Sequence, residues 1–173
     1  MSLRRAKIAG MSPAGVALML TAIPRHWFSW NFTLLDGGQP FGELGMAMWR
    51  EKGGFTISNT VYRISRERLF SGGFVLESNG VVIATARKPS AFTRRLLIEH
   101  GGVQYELRPR SMFLRGFQLR AGDQVVGTLL PDGFLSRRMN IDLPGSIPMP
   151  MRAFLIWLTV LMWKREADSA GAS

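Results

Sequence analysis

The chain has 173 residues, the size of a single domain, and its 46% hydrophobic and 20% charged residues are typical of a globular protein. It contains no cysteine, which excludes disulfides, thiolate nucleophiles and cysteine-ligated metal centres. Lysine and arginine number 22 against 12 acidic residues, for a net charge of +10. This charge favours a polyanionic partner, either nucleic acid or an acidic lipid surface, although arginine also serves simply to keep surfaces soluble.

The first 24 residues differ from the rest of the chain. Three basic residues, at positions 4, 5 and 7, precede an apolar stretch at 15–23, an order typical of a signal peptide. The stretch is short and ends in a poor cleavage site, while Ser12-Pro13 fits the start of a short helix equally well. We interpret residues 1–24 as a separate basic and apolar segment, and we expect the folded domain to span 25–166, followed by a disordered tail at 167–173.

The region from residue 26 to residue 143 has the pattern of short antiparallel strands. Val103–Leu107 alternates apolar and polar side chains, the period of a half-buried strand. Asn79-Gly80 is a strong two-residue hairpin signal. Two residue types recur every 21 residues: Gly80, Gly101 and Gly122, and Phe92, Phe113 and Phe134. We predict an up-and-down meander with two strands per repeat, in which the three phenylalanines form a layer of the core.

A helix is predicted at about 150–165. Prolines at 144, 148 and 150 exclude a central strand, and the run Met151–Trp163 that follows is apolar on every side. Its 13 residues give a helix of about 20 Å, whereas the hydrocarbon core of a bilayer is ~30 Å thick. Two alternatives remain, a tail anchor using 147–163 and a helix enclosed by the strands. We favour the second, which predicts a mainly β fold: a closed antiparallel barrel of about twelve strands around a hydrophobic C-terminal helix.

The order of these elements resembles the tubby-like fold, a superfamily that includes LURP-one-related proteins and phospholipid scramblases. The resemblance covers roughly residues 27–165 and lies in the strand meander, the loop Ile141–Pro144, and the run from Phe154 into Trp163-Lys164-Arg165. It implies a twelve-stranded barrel around the helix, and association with phosphoinositides or membrane lipids. No lipid-binding motif of the family is present to assign residues.

No pattern in the sequence predicts catalysis. There is no nucleophile elbow, no phosphate-binding glycine loop and no pair of carboxylates suited to acid–base chemistry. The chain has only two histidines, His26 and His100, too few for a histidine-based metal site. We therefore expect a protein that is not an enzyme and that uses neither a metal nor a cofactor.

Basic residues gather near one set of turns. Alternate turns of a meander fall at the same end of the barrel, and this places nine candidate anion-binding residues together: Arg87, Lys88, Arg94, Arg95, Arg108, Arg110, Arg115, Arg137 and Arg138. Glu77, Glu99 and Asp123 fall near the opposite turns. Converging arginines hold phosphate groups in bidentate geometry, whereas the alternative is a solvated rim of charges that guards the strand ends.

Three functions are consistent with these features. The favoured one is binding of anionic phospholipid or a membrane surface through the basic group. A single-stranded nucleic-acid-binding barrel would use the same charges but needs exposed aromatic side chains beside them, and most aromatic residues here are patterned as core. The third is the tail-anchored membrane protein. We expect a monomer in the cytoplasm that associates with a membrane.

Overall fold

The computed structural model describes residues 19–27, 29–47, 52–67, 73–90, 93–111 and 114–171. These residues form twelve strands and one helix in the order β1 (Leu20–Pro24), β2 (Phe32–Asp36), β3 (Gln39–Ala47), β4 (Lys52–Ile57), β5 (Thr60–Arg66), β6 (Phe74–Ser78), β7 (Val81–Arg87), β8 (Leu96–His100), β9 (Val103–Pro109), β10 (Phe117–Ala121), β11 (Gln124–Pro131), β12 (Met139–Asp142) and α1 (Met149–Gly171). Each strand pairs antiparallel with its neighbours in sequence, and β1 pairs with β12 to close the barrel. The predicted fold class is confirmed.

The two ends of the barrel differ in their connections. At one, which we call the turn end, two-residue turns join β2–β3, β4–β5, β6–β7, β8–β9 and β10–β11. Asn79 and Gly80 in one of these turns both have positive φ, 52° and 76°, as tight hairpin turns require. At the other, which we call the loop end, longer connections span residues 25–31, 48–51, 67–73, 88–95, 110–116 and 132–138. The predicted hairpin turns are confirmed, and all the longer connections between strands share one end.

The helix α1 fills the barrel. It enters at the turn end, after residues 143–148, and its residues from Met151 to Trp163 are buried except for Arg152, which is half-buried. The side chain of Arg152 donates hydrogen bonds to the carbonyls of Ile147 (2.7 Å) and Pro144 (2.9 Å), and these bonds fix the start of the helix. The enclosed helix is confirmed over the tail anchor. Among the residues described, no helix combines the length and the apolar character that a membrane span needs.

Both predicted boundaries of the domain need correction. The barrel begins at Leu20, because β1 pairs with β12 on one side and with β2 on the other. Residues 20–24 therefore belong to the barrel and not to a separate segment, whereas residues 1–18 lie outside the described part of the chain. The helix continues to Gly171, so residues 167–171 are helical and not a disordered tail.

The repeated aromatic layer of the core is formed by other phenylalanines than those predicted. Phe32, Phe74 and Phe117 occupy equivalent positions at the loop-end starts of β2, β6 and β10. All three are fully buried in the core that also contains α1, and Phe74 contacts Trp157 of the helix. Phe134 is instead 77% exposed, because it lies in the connection 132–138, directly after Gly133, which has a φ of 94°. Phe92 and Phe113 lie outside the described residues.

Candidate functional site

The strand directions bring all nine predicted basic residues to the loop end. Arg87 is the last residue of β7 and Arg108 is the last but one of β9, and the others lie in three connections: 88–95, 110–116 and 132–138. Because neighbouring strands run antiparallel around a closed barrel, these three connections are consecutive along one rim. Five further cations that sequence reasoning missed lie at the same end: Arg25, Lys52, Arg66, Lys164 and Arg165.

Four loop-end connections are closed by the same backbone hydrogen bond. In each, the first residue donates its N–H to the carbonyl six residues later: Arg25 to Asn31 (2.9 Å), Glu67 to Gly73 (3.0 Å), Arg110 to Gly116 (2.9 Å) and Asp132 to Arg138 (2.8 Å). This bond continues the strand ladder into the connection, and five residues of the connection lie between the two residues that it joins. The basic side chains of the connections 25–31, 110–116 and 132–138 are therefore carried on loops with fixed bases.

Arg94 and Arg115 anchor the end of the helix. The guanidinium of Arg94 pairs with the Glu166 carboxylate on α1. Arg115 lies over the Trp163 ring, 4.7 Å from its centroid, and its carbonyl accepts a 2.7 Å hydrogen bond from Trp163 Nε1. Burial lowers the pKa of Arg115 below its ordinary value; repulsion from Arg137 acts the same way and attraction to Glu166 opposes it. These two arginines therefore contribute to packing as well as to the charge of the rim.

Arg137 also has a structural contact. Its guanidinium lies 4.5 Å from the centroid of the Trp30 ring, and its Nη1 donates a 3.3 Å hydrogen bond to the carbonyl of Ser29. This contact joins the connection 132–138 to the connection 25–31. Arg138 lies beside it with its Nε 3.7 Å from the Asp132 carboxylate, and both side chains are about half-exposed.

The remaining basic residues are less constrained. Arg95 and Arg108 share one carboxylate, with distances of 3.9 Å and 4.0 Å to Glu106 Oε1. The side chains of Arg87 and Arg110 form no ion pair or hydrogen bond within the described residues, and Lys88 is half-buried in the connection that follows β7. Exposed ion pairs in water contribute little, so Arg87, Arg95, Arg110 and Arg138 are the side chains best placed to meet an external anion.

Two clefts lie on either side of the connection 132–138. The first cleft, of about 290 Å³, is lined by Arg110, Leu114, Arg115, Gly116, Leu130, Pro131, Gly133 and Phe134. The second cleft, of about 270 Å³, is lined by Ile23, Pro24, Trp27, Leu135, Ser136, Arg137 and Arg138. Each cleft thus combines two guanidinium groups with exposed apolar side chains, which sequence reasoning did not predict.

Carboxylates predominate at the turn end. Strand ends and turns there carry Asp36, Glu77, Glu99, Asp123 and Asp142. Two arginines at this end are held by local contacts: Arg120 lies 4.0 Å from the carboxylate of Asp123, and Arg152 donates hydrogen bonds to the carbonyls before α1. The barrel is therefore polar along its axis, with positive charge concentrated at the loop end. Within the described ranges, no three acidic or histidine side chains come together in a way that could hold a metal ion.

Comparison of the chain with family models, with curated proteins and with solved structures gave no match.

Proposed function

We propose that the protein is a non-enzymatic barrel that binds anionic lipid headgroups through its loop end. The observation that carries this proposal is the axial difference in charge. Nine predicted cations and five further ones share the loop end and outnumber the carboxylates there, whereas carboxylates predominate at the turn end. A field of one sign steers polyanions and orients the protein as it approaches them. The resemblance to the tubby-like fold, in a twelve-strand barrel around a C-terminal helix, also supports a lipid ligand.

The binding energy would come from several weak contacts and not from one buried pocket. A basic residue close to an anionic membrane surface contributes about 1 kcal/mol, so three or four engaged arginines give measurable and reversible binding. Exposed charges are screened over a distance of ~8 Å at physiological ionic strength. Binding through Arg87, Arg95, Arg110 and Arg138 should therefore weaken steeply as salt is added.

The test measures sedimentation with vesicles of phosphatidylcholine alone or of phosphatidylcholine mixed with phosphatidylserine, whose anionic headgroups give the surface a negative potential. Substitution of Arg87, Arg95, Arg110 and Arg138 by serine should lower partitioning to the anionic vesicles by roughly a hundredfold or more, at about 1 kcal/mol for each lost contact. The same four positions changed to lysine are the matched control, which keeps the charge and removes the bidentate geometry. Equal binding to neutral and anionic vesicles, or unchanged binding by the serine variant, would refute the proposal.

A second candidate is single-stranded nucleic acid. Trp27 and Phe134 are exposed next to arginines, and base stacking on such rings contributes ~1–3 kcal/mol per base. The affinity for a fluorescent single-stranded oligonucleotide at physiological salt would test this candidate. Tight binding there, combined with no affinity for anionic vesicles, would replace the lipid proposal with this one.

A further inference from the structure

Four large apolar side chains are exposed at the loop end, on three different connections. Trp27 is 78% exposed, Leu114 55%, Phe134 77% and Leu135 80%; we call these residues the apolar tips. Single exposed apolar residues are ordinary on protein surfaces, but a group of them beside polar residues marks contact with a protein or a membrane. Exposure alone does not mark a site, because Met19 and several valines, such as Val81 and Val82, are also exposed near the turn end. The apolar tips differ from these in lining two clefts together with guanidinium groups, and this combination indicates a partner with an apolar phase next to anionic groups.

Phe134 and Leu135 are adjacent apolar tips in a single turn. They follow Gly133, whose φ of 94° turns the chain, and the N–H of Ser136 donates a 3.3 Å hydrogen bond back to the Gly133 carbonyl. Below this turn, the bond from Asp132 N–H to the Arg138 carbonyl closes the base of the connection. Two bulky apolar side chains are thus held outside the barrel by a turn with internal hydrogen bonds and are not left on an open chain.

The apolar tips alternate with guanidinium groups. Leu114 and Phe134 line the first cleft together with Arg110 and Arg115, and Trp27 and Leu135 line the second cleft together with Arg137 and Arg138. The interfacial layer of a bilayer has matching chemistry, because phosphate groups lie immediately outside the first methylene groups of the lipid chains. Tryptophan is itself suited to this layer, since its ring is apolar and its N–H remains in contact with water.

We propose that the loop end docks end-on against an anionic bilayer, and that the apolar tips enter its interfacial layer while the exposed arginine of each cleft, Arg110 in the first and Arg138 in the second, contacts lipid phosphates. This inference rests on the proposed function and deepens it by placing the headgroups in a membrane and naming the side chains that enter it. In this orientation the carboxylates of the turn end face away from the negative surface, as charge complementarity requires.

Neither a free phosphorylated molecule nor a nucleic acid accounts for all the apolar tips. A soluble phosphate is satisfied by the guanidinium groups alone. A single strand would stack on Trp27 and Phe134, but Leu114 and Leu135 have no flat face to offer a base.

The first experiment compares two double variants in their partitioning to phosphatidylcholine and phosphatidylserine vesicles. Phe134→Ser with Leu135→Ser should lower partitioning by about tenfold or more, because the transfer of one apolar side chain out of water contributes roughly that factor. Val81→Thr with Val82→Thr is the matched control, since these two valines are 65% and 56% exposed at the turn end. The control should partition like the wild type, and both variants should keep its melting temperature.

The second experiment uses Trp27 as a native reporter. Vesicles of phosphatidylcholine and phosphatidylserine with bromine atoms on the lipid chains should quench its fluorescence, and the quenching should be lost in Trp27→Phe. Inorganic phosphate at millimolar concentration should leave vesicle binding largely intact. Full displacement by phosphate would overturn the membrane docking in favour of a soluble anion.

The possible failures are distinguishable. If the Phe134/Leu135 variant partitions like the wild type while the arginine variant does not, the insertion is wrong and the proposed function stands. If the wild type ignores anionic vesicles, both are wrong. If the Phe134/Leu135 variant loses binding to an oligonucleotide but not to vesicles, Phe134 is a stacking platform for bases and the insertion is refuted.

Discussion

Replacement of Trp157 by alanine is the most direct test of the enclosed helix. Trp157 is fully buried at the centre of the barrel, where its ring meets Phe74 edge-on at a centroid distance of 5.2 Å. The barrel wall comes very close on another side, since a Cβ atom at Gly53 would lie only 2.2 Å from the indole nitrogen. Truncation therefore leaves a cavity that rigid surroundings cannot fill, and we expect a loss of about 3–5 kcal/mol in the free energy of unfolding.

The assay is urea denaturation followed by circular dichroism. A domain of this size is stable by ~5–15 kcal/mol, and with a urea dependence of about 2–3 kcal/mol per molar the midpoint should fall by roughly 1–2 M. Trp157→Phe is the control. It leaves a smaller gap and removes the Trp157 Nε1–H group, which has no hydrogen-bond partner within the described residues, so the two effects offset and the cost should stay below about 1.5 kcal/mol.

Iodide quenching supplies an independent check on the same residue. Exposed Trp27 should be quenched by iodide, whereas buried Trp157 should not contribute to the quenchable fluorescence. The substitution Trp157→Phe should therefore leave the amount of quenchable fluorescence unchanged. A drop in that amount would show that the helix is not enclosed. The same conclusion would follow if Trp157→Ala lowered the free energy of unfolding by less than about 1 kcal/mol, well below the cost of a large buried cavity.

Three further predictions concern the core, the wall and the rim. Deletion of everything after Ser146 should give insoluble protein, because the emptied interior is apolar; a soluble fragment that melts cooperatively would contradict this. Gly127→Ala should lower the free energy of unfolding by about 1–3 kcal/mol, measured by thermal unfolding, because the new Cβ would lie 2.6 Å from the Asp142 carbonyl oxygen. An unchanged melting temperature would mean that the barrel wall can shift at this position to make room for the methyl group. Arg137→Ser should cost about 0.5–1 kcal/mol through its lost contact with the Trp30 ring, whereas Arg110→Ser should cost nothing measurable; equal costs would contradict the contact.

The hairpins and the helix could be predicted because their signals are local. Turns such as Asn79-Gly80 need positive φ, and an all-round apolar helix shorter than a membrane span has to be buried in protein. The strand β1 could not, because its five residues are too few to separate a strand from the end of an apolar helix. Its identity as a strand comes from pairing with β12, which is more than a hundred residues away in sequence.

The last residues of α1 could not be predicted from the composition of the sequence. Residues 167–171 are small and polar, which is typical of a tail. Two contacts of the helix extend it past the barrel: the Lys164 ammonium lies 2.6 Å from the Asp168 carboxylate, and the Ser169 hydroxyl donates a 2.8 Å hydrogen bond to the Arg165 carbonyl. Pairs spaced four residues apart stabilise one further turn of helix.

The grouping of the basic residues at one end followed from the alternation of turns in a meander. The ion pairs of these residues could not be predicted in the same way. Arg95 pairs with Glu106 from a neighbouring strand and Arg94 pairs with Glu166 from the helix, and only the closed barrel brings these carboxylates next to the rim. The exposed Phe134 was misplaced for a different reason. The 21-residue recurrence of phenylalanine matched the spacing of the hairpins. The conformation of the connection 132–138 is instead set by its own backbone hydrogen bonds, which leave Phe134 exposed. The buried layer is formed by the first residues of β2, β6 and β10.

The order of elements has a consequence during synthesis on the ribosome. Each hairpin joins adjacent strands and can form as soon as it emerges, but the seam between β1 and β12 spans the whole domain, and α1 is translated after every strand. At ~5–20 residues per second, the 15 residues from Met149 to Trp163 take roughly one to three seconds to add. For that interval the nascent sheet exists without the segment that fills it, and its inner apolar faces are open to chaperones.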